Sequence, residues 1–377
     1  MVIRDHPLFL IFFVIFGLSA IVQIFYYLYF YLSAGRFRHQ ETGNDFKGPV
    51  SVIICARNEE ENLRKFLPAV LEQDYPEFEV IVVNDCSEDN SFEVLGGFLK
   101  KYPNLKVSNI VKDPKFTHNK KFAQFIGIKA SANELLLFTD ADCYPESGQW
   151  IRNMVSHFDD NTSFVLGYGG YIGLKGFLNK YIRSDSMTIA MQYMGLALRG
   201  IPYMGIGRNL AYRRSLFFGT KGFAGHNQLA SGDDDLFVNA HASAANTAVE
   251  FRKESHTRSL PAATAEEWLK QKKRHFTTAR YYKQADKLIL AAEPFSRVLF
   301  YGLFAVLVSA LFLWPVVVGI FAVRLIIQVI VVNMSQKRFN EPGILLYVLL
   351  FDIVSPVINS GIYLSNYRPG SGRKRWN

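Results

Sequence analysis

From residue 8 to residue 32 the chain runs about 25 residues with almost no charge, and residues 298–332 form a second run in which Arg324 alone is charged. A backbone inside a bilayer has no water to bond, so a crossing segment must be helical, and about 20 apolar residues are enough. The first run is longer than the apolar core of a cleaved leader and predicts an uncleaved anchor. The second is too long for one span and predicts a hairpin that turns near Trp314-Pro315, because proline does not continue a helix. Arg4 is the only Lys or Arg before the anchor, whereas Arg36, Arg38 and Lys47 follow it. That bias places the following domain in the cytoplasm, as part of a multi-pass inner-membrane protein. A third apolar stretch, residues 344–364, holds Asp352, Ser355, Pro356 and Asn359, and precedes Arg368, Arg373, Lys374 and Arg375. Crossing would leave those four cations outside, so a re-entrant or interfacial segment is expected ahead of a fourth span.

The remaining chain must fold in water. With 49% hydrophobic and 20% charged residues, the whole is too apolar for an ordinary soluble enzyme and too charged to be embedded throughout. A formal charge of +9 fits nucleic acid, anionic lipid or a phosphorylated ligand. Cys55, Cys86 and Cys143 form no metal-binding spacing, and their odd number excludes a complete disulfide framework, which suits a reducing compartment.

Val50-Ser-Val-Ile-Ile-Cys-Ala is continuous and β-branched, as a strand buried on both faces of a parallel sheet requires. Residues 60–73 follow with helical spacing through Leu63, Phe66, Leu67, Val70 and Leu71. A second strand at residues 79–83 leads into Asn84-Asp85-Cys86-Ser87-Glu88-Asp89, a helix is predicted over Lys120–Ala130, and a strand at residues 134–139 ends in Asp140-Ala-Asp142. Strand, helix, strand repeated in this way predicts a doubly wound α/β unit, which binds ligands at the carboxyl ends of its strands. Asn58, Asp85, Asp140 and Asp142 all fall there. The chain has neither GxGxxG after the first strand nor a GxxxxGK[ST] loop, so dinucleotide and P-loop folds lose their main support. Alternation along a strand would turn Asp140 and Asp142 towards one point, where two adjacent carboxylates call for a hard cation such as Mg²⁺ or Mn²⁺. Asp85 can accept from a base N–H or a ribose hydroxyl. Taken singly, residues 85–89 also read as a solvated turn and Asp140 as a helix cap.

Four segments carry a family resemblance: Val-Ile-Ile-Cys-Ala-Arg-Asn-Glu-Glu, Val-Val-Asn-Asp-Cys-Ser-Glu-Asp, Lys-Lys-Phe-Ala-Gln-Phe-Ile-Gly-Ile-Lys-Ala and Phe-Thr-Asp-Ala-Asp-Cys. In this order they resemble glycosyltransferase family 2 over about residues 48–275. The resemblance implies a GT-A fold, a Rossmann-like mixed sheet, and inverting transfer from a nucleotide-diphosphate sugar. It places Ala56, Arg57, Asn58 and Glu59 in the nucleotide pocket, Asp85 on the base, and Lys120 or Lys121 near base or phosphate. Asp140 and Asp142 become the diphosphate and metal pair. Asn84 departs from the family, many of whose members have Asp there.

Inverting transfer needs a base for the acceptor hydroxyl. Ser231-Gly-Asp-Asp-Asp-Leu236 resembles the family's Glu-Asp-x-Asp-Leu segment, with Gly232 at the Glu position. That alignment makes Asp233 the base, puts Asp235 at a helix start and turns Asp234 away. Gly205-Ile-Gly-Arg-Asn-Leu-Ala211 resembles the acceptor loop, implicating Gly207 and Asn209. Thr264-Ala-Glu-Glu267 reads as a capping box. After it, Trp268, Leu269, His275, Phe276 and Ala279 form an apolar stripe bordered by Lys270, Lys272, Lys273, Arg274, Arg280 and Lys283. Such a helix beside a span is expected on the membrane surface, which displaces nucleic acid as the partner. Gln271-Lys-Lys-Arg274-His275 resembles the Gln-x-x-Arg-Trp motif of membrane synthases, with Gln271 and Arg274 at the donor diphosphate or acceptor end. His275 replaces the Trp, which favours single transfer over polymerisation.

The expected organisation is therefore an anchor at 1–35, a cytoplasmic catalytic domain at 48–263, an interfacial region at 264–295, a membrane hairpin at 296–333, a third C-terminal segment at 343–365 and a basic tail at 366–377. The expected partners are a nucleotide-diphosphate sugar, a lipid-linked or glycan acceptor and the membrane.

Overall fold

A computed structural model describes residues 7–37, 48–111, 119–226, 229 and 231–365. The orienting charges Arg4, Arg38 and Lys47, and the basic tail, lie outside the described residues.

The domain is built on strands β1 (Val50–Ala56), β2 (Phe78–Asp85), β3 (Leu105–Ile110), β4 (Leu135–Asp140), β5 (Cys143–Pro145), β6 (Phe164–Leu166), β7 (Gly169–Tyr171), β8 (Leu210–Arg213), β9 (Thr247–Val249) and β10 (Thr257–Ser259). Seven form one sheet in the order β3-β2-β1-β4-β8-β6-β9, and β5-β10-β7 form a small second sheet. β1 pairs in parallel with β2 and β4, and β8 then runs antiparallel to both β4 and β6. Alternation divides each central strand between two cores. Val50, Val52 and Ile54 face one, with Leu135 and Leu137, while Ile53 faces the other with Leu136 and Phe138. The unit is doubly wound, with a switch point between β1 and β4, where such sheets bind ligands.

Helices Pro7–Phe25 and Leu32–Arg36 are joined by a π-helical turn, Tyr26–Tyr31, into one apolar run. This run packs against Phe177–Leu198, and the contact is close: a Cβ on Gly195 would stand 2.5 Å from the Phe30 carbonyl oxygen. The expected hairpin is present as helices Gln284–Ser309 and Trp314–Arg338, turning through left-handed Leu311 and Leu313. The first of these begins earlier than the sequence suggests. Residues 284–295 belong, through Pro294, to the same continuous helix as the first arm of the hairpin. The capping-box hydroxyl forms, with Thr264 Oγ1 accepting from Glu267 N at 3.2 Å.

The interfacial helix Ala265–Phe276 turns its stripe towards protein rather than lipid. Trp268 packs edge-on against Tyr181 at 5.1 Å and Phe276 against Tyr363 at 6.4 Å, while Lys272 is buried on Asp185 at 2.6 Å. The last helix, Leu345–Ser365, covers that stripe. It is long and apolar enough to cross, and so are the runs Pro7–Arg36, Gln284–Ser309 and Trp314–Arg338. Its residues contact the domain, Phe351 on Tyr181 at 4.5 Å and Tyr363 on Phe276, and its Asp352 pairs with Arg324 and Arg297 of the hairpin.

Polar groups tie these helices together. Arg324, about 1% exposed, bonds Asp352 at 2.7 Å and Gln23 at 2.9 Å, and Arg297 bridges Asp352 at 3.1 Å and also Glu293. A charge held in an apolar bundle needs such pairing, because desolvation otherwise costs several kcal/mol, on the order of 3–5 when one partner is removed. The loop after the hairpin is joined to the domain in the same way. Buried Glu341 accepts from Arg183 at 2.6 Å, from Tyr168 at 2.9 Å and from Arg258.

Candidate active site

The carboxyl ends of β1, β2 and β4 bring together most of the residues the sequence singles out. After β1 the chain turns through left-handed Asn58, and after β2 through left-handed Cys86, a conformation that Asn adopts more readily than most residues. The two turns latch: Asn58 N donates to Ser87 Oγ at 2.9 Å, and Glu88 N donates to Asn58 Oδ1 at 2.8 Å. Asn84 belongs to this latch, accepting from Ser87 at 2.6 Å and donating to Asn109 at 2.7 Å. Its amide can do both, which an ionised Asp cannot. Ala56 and Asp85 are buried at the strand ends, and Arg57 and Glu59 are half-buried beside them. Burial raises Glu59 to about 7, with Asp142, Asp140 and Asp89 adding to the shift.

Asp140 ends β4, but Asp142 lies in the turn between β4 and β5. Strand alternation therefore does not align the pair; the turn does, and ligand atoms of Asp140, Asp142 and Cys143 come within 4.8 Å of one another. Burial works against ionisation of Asp140, but the Lys120 ammonium at 2.6 Å, with Arg208 and Arg274 beyond it, holds its carboxyl below the usual range. Asp142 is raised by burial and by Asp140, against hydrogen bonds from Ser259 at 2.8 Å and Cys143 at 3.3 Å. The residues fit a hard divalent cation. Two carboxylates converge at a half-buried point where an added positive charge would relieve their repulsion, and burial keeps the neighbouring Cys143 thiol protonated.

Of the three acids at 233–235, Asp233 is 4% exposed and lies 3.6 Å from Lys120. Asp234 does not point away. It is the half-exposed member, accepting from the Gly207 amide at 2.6 Å and from Asp235 N at 2.8 Å. Burial, then Asp233 and Asp235, raise it to about 7. Asp235 begins helix Asp235–His241 and is buried on Tyr282 at 2.7 Å and Thr278 at 2.5 Å. Gly232 has φ +100°, and a Cβ there would meet Leu236 at 2.5 Å, which accounts for the missing Glu side chain.

Two of the expected residues face elsewhere. Lys121 donates to the carbonyls of His226 at 2.7 Å and Leu229 at 3.1 Å, so its ammonium holds a loop and does not enter the cleft. Fully buried Asn209 donates to the Tyr168 and Ser255 carbonyls, both at 2.8 Å, and accepts from Trp150 at 2.9 Å. Its carboxamide supports the acceptor-loop backbone and is not free for a substrate. Gly207 keeps its place in the cleft, beside Asp234 and Lys120. From the interfacial helix, Gln271 reaches the Tyr171 hydroxyl at 3.3 Å, while Arg274 and His275 stay exposed. Although its surface is exposed, desolvation by the protein around it, then Arg274, Lys272, Arg208 and Lys120, hold the His275 imidazole well below its ordinary pKa. The sequence does not point to Ser259, which lies far from Asp142 in the chain, or to Arg208, which stands in the acceptor-loop segment between Gly207 and Asn209.

Residues 51–219 match glycosyl transferase family 2. Glycosyltransferase AglE of Haloferax volcanii is 38% identical over 120 residues, 31% of this chain and 38% of that protein. The probable glycosyltransferase YdaM of Bacillus subtilis is 31% identical over 216 residues, 52% of this chain and 49% of that one. The chain thus spans less than half the length of either relative. A mannosyltransferase, PcManGT from Pyrobaculum calidifontis, solved with GDP-Man and Mn2+, shares the fold with a TM-score of 0.58 at 15% identity, over 92% of this chain and 99% of that one.

Proposed function

For a chain that carries a glycosyl transferase family 2 domain in a GT-A fold, we propose inverting transfer of a sugar from a nucleotide-diphosphate donor to a lipid-linked acceptor at the cytoplasmic membrane face. The observation that carries this reading is the meeting of three groups at one sheet edge: buried Asp85, the Asp140/Asp142 pair, and the Asp233/Asp234 pair lying against the Gly207 loop. The first receives the nucleoside, the second the diphosphate and the third the acceptor hydroxyl.

Asp140 and Asp142 would hold Mg²⁺ or Mn²⁺, which supplies positive charge at the leaving diphosphate. Lys120, between Asp140 and Asp233, contributes a fixed cation to the same place. Arg274 and Gln271 border the cleft from the interfacial helix. The proton acceptor is Asp234. It is more accessible than Asp233, its position is set by the Gly207 amide, and its raised pKa suits proton transfer near neutral pH. Asp233, the base that family alignment favours, is buried with its carboxylate turned to Lys120 at 3.6 Å, which leaves it the role of orienting Lys120.

The last helix supports the membrane-face assignment. It contacts Tyr181 and Phe276 of the domain as well as Arg324 and Arg297 of the hairpin, which favours a segment lying where the domain meets the bundle, with the anchor and the hairpin as the three spans. This arrangement opens the cleft close to the headgroup level, where a lipid-linked acceptor would present its hydroxyl. Membranes containing the protein, given a radiolabelled nucleotide sugar, should yield label that partitions into organic solvent as a single-sugar product. Label found only in long water-soluble polymer would support processive synthesis instead.

A further inference from the structure

Arg208 carries a charge that no step above uses. Its guanidinium carbon lies 4.2 Å from the centroid of the Tyr171 ring. Its Nη1 is buried and has no hydrogen-bond partner, and no carboxylate among the described residues comes within ion-pair distance. The backbone on each side is pinned. Gly207 N is bonded to Asp234, Arg208 O accepts from Thr257 Oγ1 at 3.0 Å, and the Asn209 carboxamide is bonded three times. The side chain is confined as well: a Cβ on Gly169 would stand 3.0 Å from Arg208 Cβ. Stacking and confinement therefore aim a planar fork in one direction, within the electrostatic reach of Asp140, Asp142 and His275. Burying an unpaired cationic nitrogen is costly, and an anion bound there would relieve that cost. A guanidinium held as a rigid fork matches phosphate oxygens two at a time, which a lysine in the same place would not.

We propose that Arg208 is a phosphate clamp, binding phosphoryl oxygens of a substrate held over Asp140 and Asp142. The phosphate belongs either to the donor diphosphate or to an anionic acceptor. This inference rests on the transferase reading only for the identity of the ligand, since the confined fork and its unpartnered Nη1 stand without it.

The test uses the full-length protein in detergent, with Mn²⁺ and inorganic pyrophosphate as the first probe in calorimetric titration. Arg208→Gln should weaken pyrophosphate binding by about 10-fold or more, and Arg208→Lys, which keeps the charge without the fork, should fall between. Thermal melting confirms that both variants are folded. Nucleoside diphosphates and the corresponding nucleosides form the second arm. If the clamp holds the donor, the nucleoside diphosphates weaken to the same degree and the nucleosides do not change. If it holds the acceptor, donor affinity stays fixed while the KM for a phosphate-bearing acceptor rises. Folded variants that match the wild type towards pyrophosphate, nucleoside diphosphate and acceptor would overturn the clamp and leave the transferase intact. A wild type that binds pyrophosphate through Arg208 but turns over no nucleotide sugar would retain the clamp and remove the transferase. A wild type that binds neither pyrophosphate nor nucleoside diphosphate would overturn both.

Discussion

Asp142→Asn should lower metal-dependent donor turnover by about 10³-fold, because it removes one of two carboxylate charges from the point proposed for the cation and the diphosphate. The substitution keeps the side chain's size, and its amide oxygen can still accept from Ser259, now 2.8 Å from Asp142 Oδ2. Folding should therefore survive while the metal concentration needed for half-maximal turnover rises. Titrating Mn²⁺ against turnover in wild type and variant reads both quantities. Equal activity at saturating metal would remove Asp142 from the metal site.

The second large effect separates the acids at 233 and 234. Asp234→Asn retains an oxygen for the Gly207 amide but has no basic site, so transfer should fall by about 10²–10⁴ while donor affinity stays the same. The pH profile gives a further signature. A base with its pKa raised to about 7 is protonated below that pH, so wild-type turnover should rise with pH up to about 7, and Asp234→Asn should lose that limb. Asp233→Asn leaves Lys120 its stronger contact with Asp140 at 2.6 Å and should cost less. Single-turnover transfer measured beside nucleotide binding orders the two variants. If Asp233→Asn spares binding and removes transfer while Asp234→Asn does neither, the base is Asp233 and the family alignment was the better guide.

The difference between those two readings marks how far the sequence reaches. Buried parallel strands announce themselves through unbroken β-branched runs such as Val50-Ser-Val-Ile-Ile, and a doubly wound sheet then sends their carboxyl ends to one edge. That is why Asp85, Asp140 and the turn at Asn58 could be placed before any coordinates. Side-chain direction is another matter. Lys120 and Lys121 are neighbours on one helix, about 100° apart around its axis, and only packing decides that one meets Asp140 and the other the His226 carbonyl. Asn209 reads as a polar residue in a loop, and its burial against Trp150 and Tyr168 has no local signal. Asp142 reached its partner by a turn, although strand alternation suggested the same meeting. The amphipathic helix at 265–276 was recognisable, but its apolar stripe faces Tyr181 and Tyr363 because another helix lies over it, and periodicity does not say what covers a face.

The central claim is that this sheet edge turns over a nucleotide-diphosphate sugar. Its most direct test is nucleotide-diphosphate release from the purified full-length protein, measured against a panel of uridine and guanosine diphosphate sugars with Mn²⁺ present and with the metal chelated. Release is expected from at least one sugar of the panel, lost on chelation and restored by added Mn²⁺. No release from any of them, together with no binding of either nucleoside diphosphate by a folded protein, would contradict it.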